Sequence, residues 1–314
     1  MKIGLIDVDG HNFPNLPLMK LSAWHKANGD SVEWYSPDSA RRMDRVYMSK
    51  VFSFTPDYPH PVNAFEVVKG GSGYCIDLVD GKEVFDATRH RELPFGVEHI
   101  YPDYSLYGIT DTAYGFLSRG CPRGCHFCIV AGKEGRRSEK VANLREWWRG
   151  QQNIVLLDPN LLACPDRIDL LRQLVNSQSV IDINQGLDCR LLNEEIISYI
   201  NRLRIKDIHF AWDYMKESDA VLAGLDLYAK QATRKPHGKY ATVYTLVNYD
   251  TTMDENLYRI YTLRAKGYDP YVMIYDKKNV PAGHPLRMLQ RWVNNRIIFS
   301  KCKTFTEYQR SQSK

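Results

Sequence analysis

From residue 112 onward the chain alternates short apolar runs with amphipathic stretches, and that alternation restricts its fold more than any other feature. Apolar, strand-like runs fall at residues 113–119, 153–158, 180–185, 207–213, 241–248 and 271–276. The spacing between them predicts helices. A short one covers residues 144–149 and a longer one 166–176. Asn193 caps the next, with Glu194 and Glu195 in its first turn and Ile196, Ile197, Ile200 and Leu203 as its buried stripe. Ser218 is expected to cap another, with Val221, Leu222, Leu225 and Tyr228 on one face, and Gly267 stops a helix over 254–266. Strands joined in series by helices need crossovers and a parallel sheet. Six such units are two short of a closed eight-fold barrel. The expectation is therefore an α/β chain with a partial, open (β/α)6 barrel over residues 112–280.

Residues 1–90 predict a smaller, Rossmann-like α/β domain. A strand over 2–7 leads to a helix over 18–27 with Leu18, Leu21 and Trp24 as its stripe, stopped by Asn28-Gly29-Asp30. Further strands are expected over 31–35, 45–54 and 65–69. The loop Gly70-Gly71-Ser72-Gly73 lacks G-x-G-x-x-G spacing and a helix start behind it, so it reads as a plain turn. Residues 91–111, with Pro94, Pro102 and several tyrosines, read as a linker, and 281–314 as a helical, basic tail.

The composition, 44% hydrophobic and 25% charged, is that of a globular chain, and the net charge is +5. That mild basic bias suits an anionic partner or, more simply, a solvated surface. The start of the chain has no apolar region followed by a small-residue cleavage site, and no apolar run is long enough to span a bilayer. A cytoplasmic protein with no membrane partner is expected. The cysteine usage agrees: seven in all, an odd number, three of them within eight residues. That is a metal or cluster arrangement rather than a disulfide framework.

The three are Cys121, Cys125 and Cys128, in the run Arg119-Gly120-Cys121-Pro122-Arg123-Gly124-Cys125-His126-Phe127-Cys128. Four-iron clusters are usually tied by four thiolates, so three leave one iron open to an exogenous chelator. Pro122 and Gly124 suit a tight loop whose amides can approach the sulfurs. A zinc site made of the three cysteines and His126 is the alternative, although zinc sites normally recruit their second ligand pair from a distant segment.

The C-x3-C-x-aromatic-C pattern, with Phe127 in the aromatic slot, resembles the signature of the radical S-adenosylmethionine (SAM) superfamily. The resemblance covers residues 112–280 as architecture and eight residues as motif. It implies a [4Fe–4S] cluster on Cys121, Cys125 and Cys128, with SAM on the fourth iron. It also implies one-electron cleavage of SAM to a 5′-deoxyadenosyl radical, acting here on a substrate the sequence does not name. The family commonly carries Gly-Gly-Glu after the second strand to receive the SAM amino group. Here Asp158-Pro159-Asn160 stands there, so Asp158 or Asn160 would take that part. After the third strand, Arg190 suits the SAM carboxylate by its bidentate fork, and Gln185 or Asp188 the ribose hydroxyls. After the fourth, Asp213 matches an acidic position of the family, and 243–247 could flank adenine. Each of these residues also suits a turn or a helix cap.

The remaining cysteines, Cys75, Cys164, Cys189 and Cys302, are scattered and read as small buried hydrophobes rather than an auxiliary cluster. The N-terminal domain resembles, more loosely, the cobalamin-binding domain that precedes many radical SAM barrels. His11 follows Asp9 as in the D-x-H-x-x-G loop, but Pro14 replaces the glycine, which implies a degenerate domain. Basic clusters at Arg136-Arg137, 202–206 and 301–303 could meet an anionic substrate or dock an acidic flavodoxin or ferredoxin delivering the electron. No nucleic-acid-binding module is recognisable. Two other functions stay open: a cobalamin-assisted radical methyltransferase, and a non-catalytic zinc or iron–sulfur binding protein.

Overall fold

Asn15 sets the first helix. Its side-chain oxygen accepts the Leu18 N–H at 3.2 Å, and Pro17 sits in the first turn, where a missing N–H costs nothing. The computed structural model describes residues 1–39, 41–79 and 82–312. It is a mixed α/β structure with parallel sheets, divided into two compact units, Met1–Leu157 and Asp158–Lys314.

In the first unit, β1 (Lys2–Asp7), β2 (Ser31–Trp34), β3 (Met43–Ser49) and β4 (Ala64–Gly70) form one parallel sheet in the order β2-β1-β3-β4. Helix α1 (Leu16–Ala27) makes the β1–β2 crossover. Leu18 and Leu21 of α1 pack on Ile3 and Leu5, while Ile6, Met43, Val46 and Met48 form a second cluster. Among the described residues the connections after β2 and β3 contain no helix, so the sheet is wound less fully than a Rossmann-like domain predicts. Two short antiparallel strands not foreseen in the sequence follow, β5 (Ile76–Val79) and β6 (Lys82–Phe85).

The segment 91–111, read as a linker, is packed rather than extended. It holds α2 (Phe95–Glu98) and a 3-10 turn at Tyr104–Tyr107. Leu93, Val97 and Leu106 join the α1 core, and the Ser22 hydroxyl donates to Asp103 at 2.6 Å.

β7 (Thr112–Gly115) ends earlier than the apolar run 113–119 predicts. The Trp147 indole lies where a side chain on Gly115 would stand, 2.4 Å from an ideal Cβ. Beyond it β8 (Ser118–Arg119) pairs antiparallel with β9 (Glu139–Lys140), with α3 (Val130–Lys133) between them. β10 (Asn153–Leu156) is parallel to β7.

The second unit runs α4 (Arg167–Ser177), β11 (Val180–Ile183), α5 (Glu194–Ile200), β12 (Arg204–Ile205), β13 (Ile208–Ala211), α6 (Ser218–Gln231), β14 (Gly238–Val247), α7 (Met253–Ala265) and β15 (Tyr268–Ile274). β11 pairs parallel with β12, and β13, β14 and β15 form a parallel sheet in that order. Asn193 caps α5 as expected, accepting the Ile196 N–H at 2.8 Å. Ser218 does not cap α6. It lies inside the first turn, and its hydroxyl donates back to the Met215 carbonyl. The expected tail is three helices, α8 (Pro285–Asn294), α9 (Arg296–Lys301) and α10 (Phe305–Gln312), packed through Trp292, Phe299, Phe305 and Tyr308 onto Ile260, Val272 and Ile274. The last two tail residues, Ser313 and Lys314, lie outside the described residues. Among the described residues no helix is long and apolar enough to cross a membrane.

Candidate functional site

The cysteine loop begins where β8 stops. Gly120 has φ +85, and a Cβ on it would meet the Arg137 carbonyl oxygen at 1.9 Å, so only glycine fits this exit. The loop is closed on itself by short bonds: Cys121 N–H to the Gly135 carbonyl at 3.2 Å, and Cys128 N–H to the Cys125 carbonyl at 2.9 Å. The Glu134 carboxylate lies beneath it, accepting the Gly120 N–H at 3.4 Å with Lys133 Nζ at 3.5 Å and Arg119 at 3.9 Å. Arg119 in turn lies over the Phe116 ring at 4.0 Å.

On this loop Cys121 and Cys125 are half-buried, Cys128 is exposed, Phe127 is half-buried and His126 is exposed. All seven cysteines are thiols rather than disulfides. Cys75, Cys164 and Cys189 are buried, as small hydrophobes should be, whereas Cys302 is half-buried. Burial pushes the Cys75 thiol up, away from reactivity. Among the described residues no three His, Cys, Asp or Glu side chains are gathered closely enough to hold a metal ion. The donor chemistry of the loop, three thiols within eight residues and a solvent-facing Cys128, is of the kind that suits a thiophilic metal or cluster.

In the second unit the residues that follow β11 and precede α4 meet. Asn160 Nδ2 donates to Asp188 Oδ2 at 3.2 Å, and its own oxygen accepts the Ala163 N–H at 3.3 Å. Asp158 is buried at 1% exposure. Asp188 grips Arg190 two-handed, Nε to Oδ1 at 2.7 Å and Nη2 to Oδ2 at 3.1 Å, while Nη1 reaches Glu217. Burial works against the Arg190 charge, yet the bonds and charges of Asp188 and Glu217 outweigh it and hold the guanidinium's pKa above its usual value. The fork expected to receive a ligand carboxylate is therefore occupied by two carboxylates of the chain itself. Gly224 makes this approach possible, because a Cβ there would stand 2.0 Å from the Cys189 carbonyl oxygen. Gln185 is not drawn into the network; it is exposed just past β11.

Asp213, two residues beyond β13, accepts the Leu246 N–H from β14 at 3.1 Å. It keeps partial exposure but is crowded on most sides, and that burial pushes its carboxyl up to about 6. The Leu246 bond and the charges of Arg259 and Arg190 pull the other way, while Glu217 adds to the rise. Arg259 is the residue that sequence reasoning missed. It is 0% exposed, on the inner face of α7, and donates to the carbonyl oxygens of Trp212, Asp213 and Leu246 and to Asn256 Oδ1. Burial lowers its pKa to about 10. The signal was available, since Asn256, Arg259, Ile260 and Leu263 form one helical stripe.

No family model matches this chain, and no curated protein matches it.

Proposed function

We propose that the chain is a radical SAM enzyme, a member of that superfamily, with Cys121, Cys125 and Cys128 holding a [4Fe–4S] cluster. One observation carries this reading: three thiols in C-x3-C-x2-C spacing, with Phe127 before the last, on a loop that leaves a strand through a glycine only glycine can occupy. The finer fold belongs to the same proposal, with the strand–helix units of residues 112–280 read as an open (β/α)6 barrel. The cluster, when bound, would supply one electron to the sulfonium of SAM.

The chain's own residues bind and orient. The three cysteines would bind the cluster as thiolates, since the thiolate is the form that ligates metal. In the second unit Asn160 and Asp188 are bonded to each other, and Asp188 also to Arg190, so they would shape the pocket wall, while Gln185 is exposed to meet an amino group or ribose hydroxyls. Arg190 is better read as the residue that fixes Asp188 and Glu217 than as a ligand for a carboxylate, because its donors are already taken. Asp213, with its raised pKa, would be able to hold a proton near neutrality. The substrate is unnamed, and a flavodoxin or ferredoxin is the proposed electron donor, with a cytoplasmic setting to match.

The test is anaerobic reconstitution with iron and sulfide, followed by iron and sulfide analysis and an assay for 5′-deoxyadenosine with dithionite and SAM. About four irons per chain and deoxyadenosine release, both lost in Cys125→Ala, are expected. One zinc and no iron would instead give the non-catalytic zinc reading. Cobalamin retained on purification would move the reaction to a cobalamin-assisted methyl transfer.

A further inference from the structure

Helix α1 brings a covered amine to the wall of a cavity inside the first unit. Lys20, Glu98, His99, Phe116, Glu146 and Trp147 are among the residues that line it. Lys20 is 8% exposed, and among the described residues the one hydrogen bond of its ammonium goes to Glu98 Oε1 at 2.8 Å. A second acid–base pair borders the same space, His99 Nδ1 and Glu146 Oε2 at 2.7 Å. The Glu98, His99 and Glu146 side chains stay partly exposed, so the cavity can be reached from solvent on their side.

Trp147 says what the cavity would hold. Its indole is 3% exposed, fills the room a side chain at Gly115 would take, and among the described residues its Nε1–H has no acceptor. A buried donor left unsatisfied is costly, and an acceptor placed in the cavity would relieve it. That acceptor is not an anion, because the Glu98 and Glu146 carboxylates border the space; a neutral carbonyl oxygen suits it. A covered lysine beside a carboxylate that can take and return its proton is the arrangement that adds to carbonyl carbons. Burial pushes the Lys20 pKa down and the Arg119 charge adds to that, against the pull of Glu98 and Glu146. The enclosed space has room for about one water, so it admits only the smallest of carbonyl compounds.

We propose that Lys20 captures formaldehyde as a Schiff base, with the aldehyde oxygen accepting the Trp147 Nε1–H. Glu98 takes a proton from the ammonium, and the freed amine adds to the carbonyl carbon. The oxygen gains one proton from the added nitrogen and a second from Glu98, then leaves as water while the C=N bond forms. Ammonium and formaldehyde thus become iminium and water. No electron is transferred, and one positive charge faces Glu98 before and after. The proposal rests on none of the cluster chemistry, and it can stand or fall whatever the cysteine loop holds.

The test is reductive methylation of the full chain, as purified, with formaldehyde and cyanoborohydride, read peptide by peptide in a mass spectrometer. Lys26 is the internal control. It lies on the same helix and pairs with Asp103 at 2.6 Å, but its side chain is 46% exposed. A covered lysine that serves only as half of an ion pair should react after Lys26. Lys20 is expected to react at least fivefold faster than Lys26 at low formaldehyde, with a rate that saturates. Trp147→Phe keeps a ring against Gly115 and loses only the donor; it should slow Lys20 at least fivefold and leave Lys26 unchanged. Glu98→Gln should do the same. Propionaldehyde should modify Lys26 and spare Lys20. Lys20 lagging behind Lys26 in the unaltered chain, an unchanged Lys20 rate in Trp147→Phe, or equal reaction of Lys20 with both aldehydes would overturn the proposal.

Discussion

Arg259 Nη1 donates to the Trp212 carbonyl oxygen at 2.6 Å and thereby fastens helix α7 to the end of strand β13. The other end of the same fork, Nη2, takes the Leu246 carbonyl on β14 at 2.8 Å. One side chain thus joins two strand ends and a helix in the region where Asp213 sits. Arg259→Met should leave those carbonyls unsatisfied in a dry interior and destabilise the protein by about 3 kcal/mol in urea unfolding. Arg259→Lys should recover only part of this, because an ammonium cannot fork. A loss below about 1 kcal/mol in the Met variant would show that the carbonyls find other donors.

Asp213 makes a pH prediction of definite sign. Its carboxyl is raised to about 6 in the folded chain, from an ordinary value near 3.8, so between these values the folded state binds more protons than the unfolded one. Stability then falls as pH rises through that window and levels off above it. Melting temperatures followed from pH 4 to pH 7 should carry this downward contribution, and Asp213→Asn should remove it. Because the Arg259 and Arg190 charges hold the value down, Arg190→Met should move the Asp213 titration, read by carbon-labelled NMR, upward. A downward move would mean that the residue's surroundings are misassigned.

Much of this was legible before the fold. The runs that became β10, β11, β13, β14 and β15 were visible because each is apolar and bounded by turn residues, and Asn193 and Gly267 marked their helix ends. The boundaries slipped where tertiary packing decides them. β7 stops at Gly115 because of Trp147, a residue far along the chain. β5 and β6 were missed because Leu78, Val79 and Val84 face solvent and leave no burial pattern. Residues 91–111 looked like a linker because Pro94, Pro102 and three tyrosines interrupt any periodic pattern, yet Leu93, Val97 and Leu106 anchor the stretch in the α1 core. In the candidate site the cysteine spacing was plain. Asp188, Arg190 and Asn160 were each visible singly, whereas their pairing, and the entry of Glu217 from the next crossover, exist only once the strands are side by side.

The thiols offer a prediction that needs no activity. Reaction with iodoacetamide follows exposure and thiolate character. In the native apoprotein Cys128 should label first, then Cys121, Cys125 and Cys302, while Cys75, Cys164 and Cys189 label only on unfolding. Reconstitution with iron and sulfide should then protect Cys121, Cys125 and Cys128 together and leave Cys302 reactive. Mass spectrometry of the peptides reads this directly. Protection of only one or two of the three would be incompatible with a shared cluster.

Gly120 separates the loop's shape from its ligands. Gly120→Ala keeps every cysteine but puts a methyl 1.9 Å from the Arg137 carbonyl, at a φ of +85 that side chains rarely adopt. Arg137 leads into β9, which is paired to β8, so the backbone there has little room to give. The substitution should cost on the order of 2 kcal/mol. If the loop must be held in this form to bind iron, metal retention should fall more steeply than stability does, as judged by iron per folded chain after gel filtration. Gly135→Ala is the matched control. It also has a positive φ, of +89, but nothing stands within 4 Å of its added methyl, so it should bring backbone strain without the collision. Iron content should then be lower in the Gly120 variant than in the Gly135 variant at equal stability. Equal retention in both would separate iron binding from the geometry of the strand exit and leave the cysteine spacing as the only determinant.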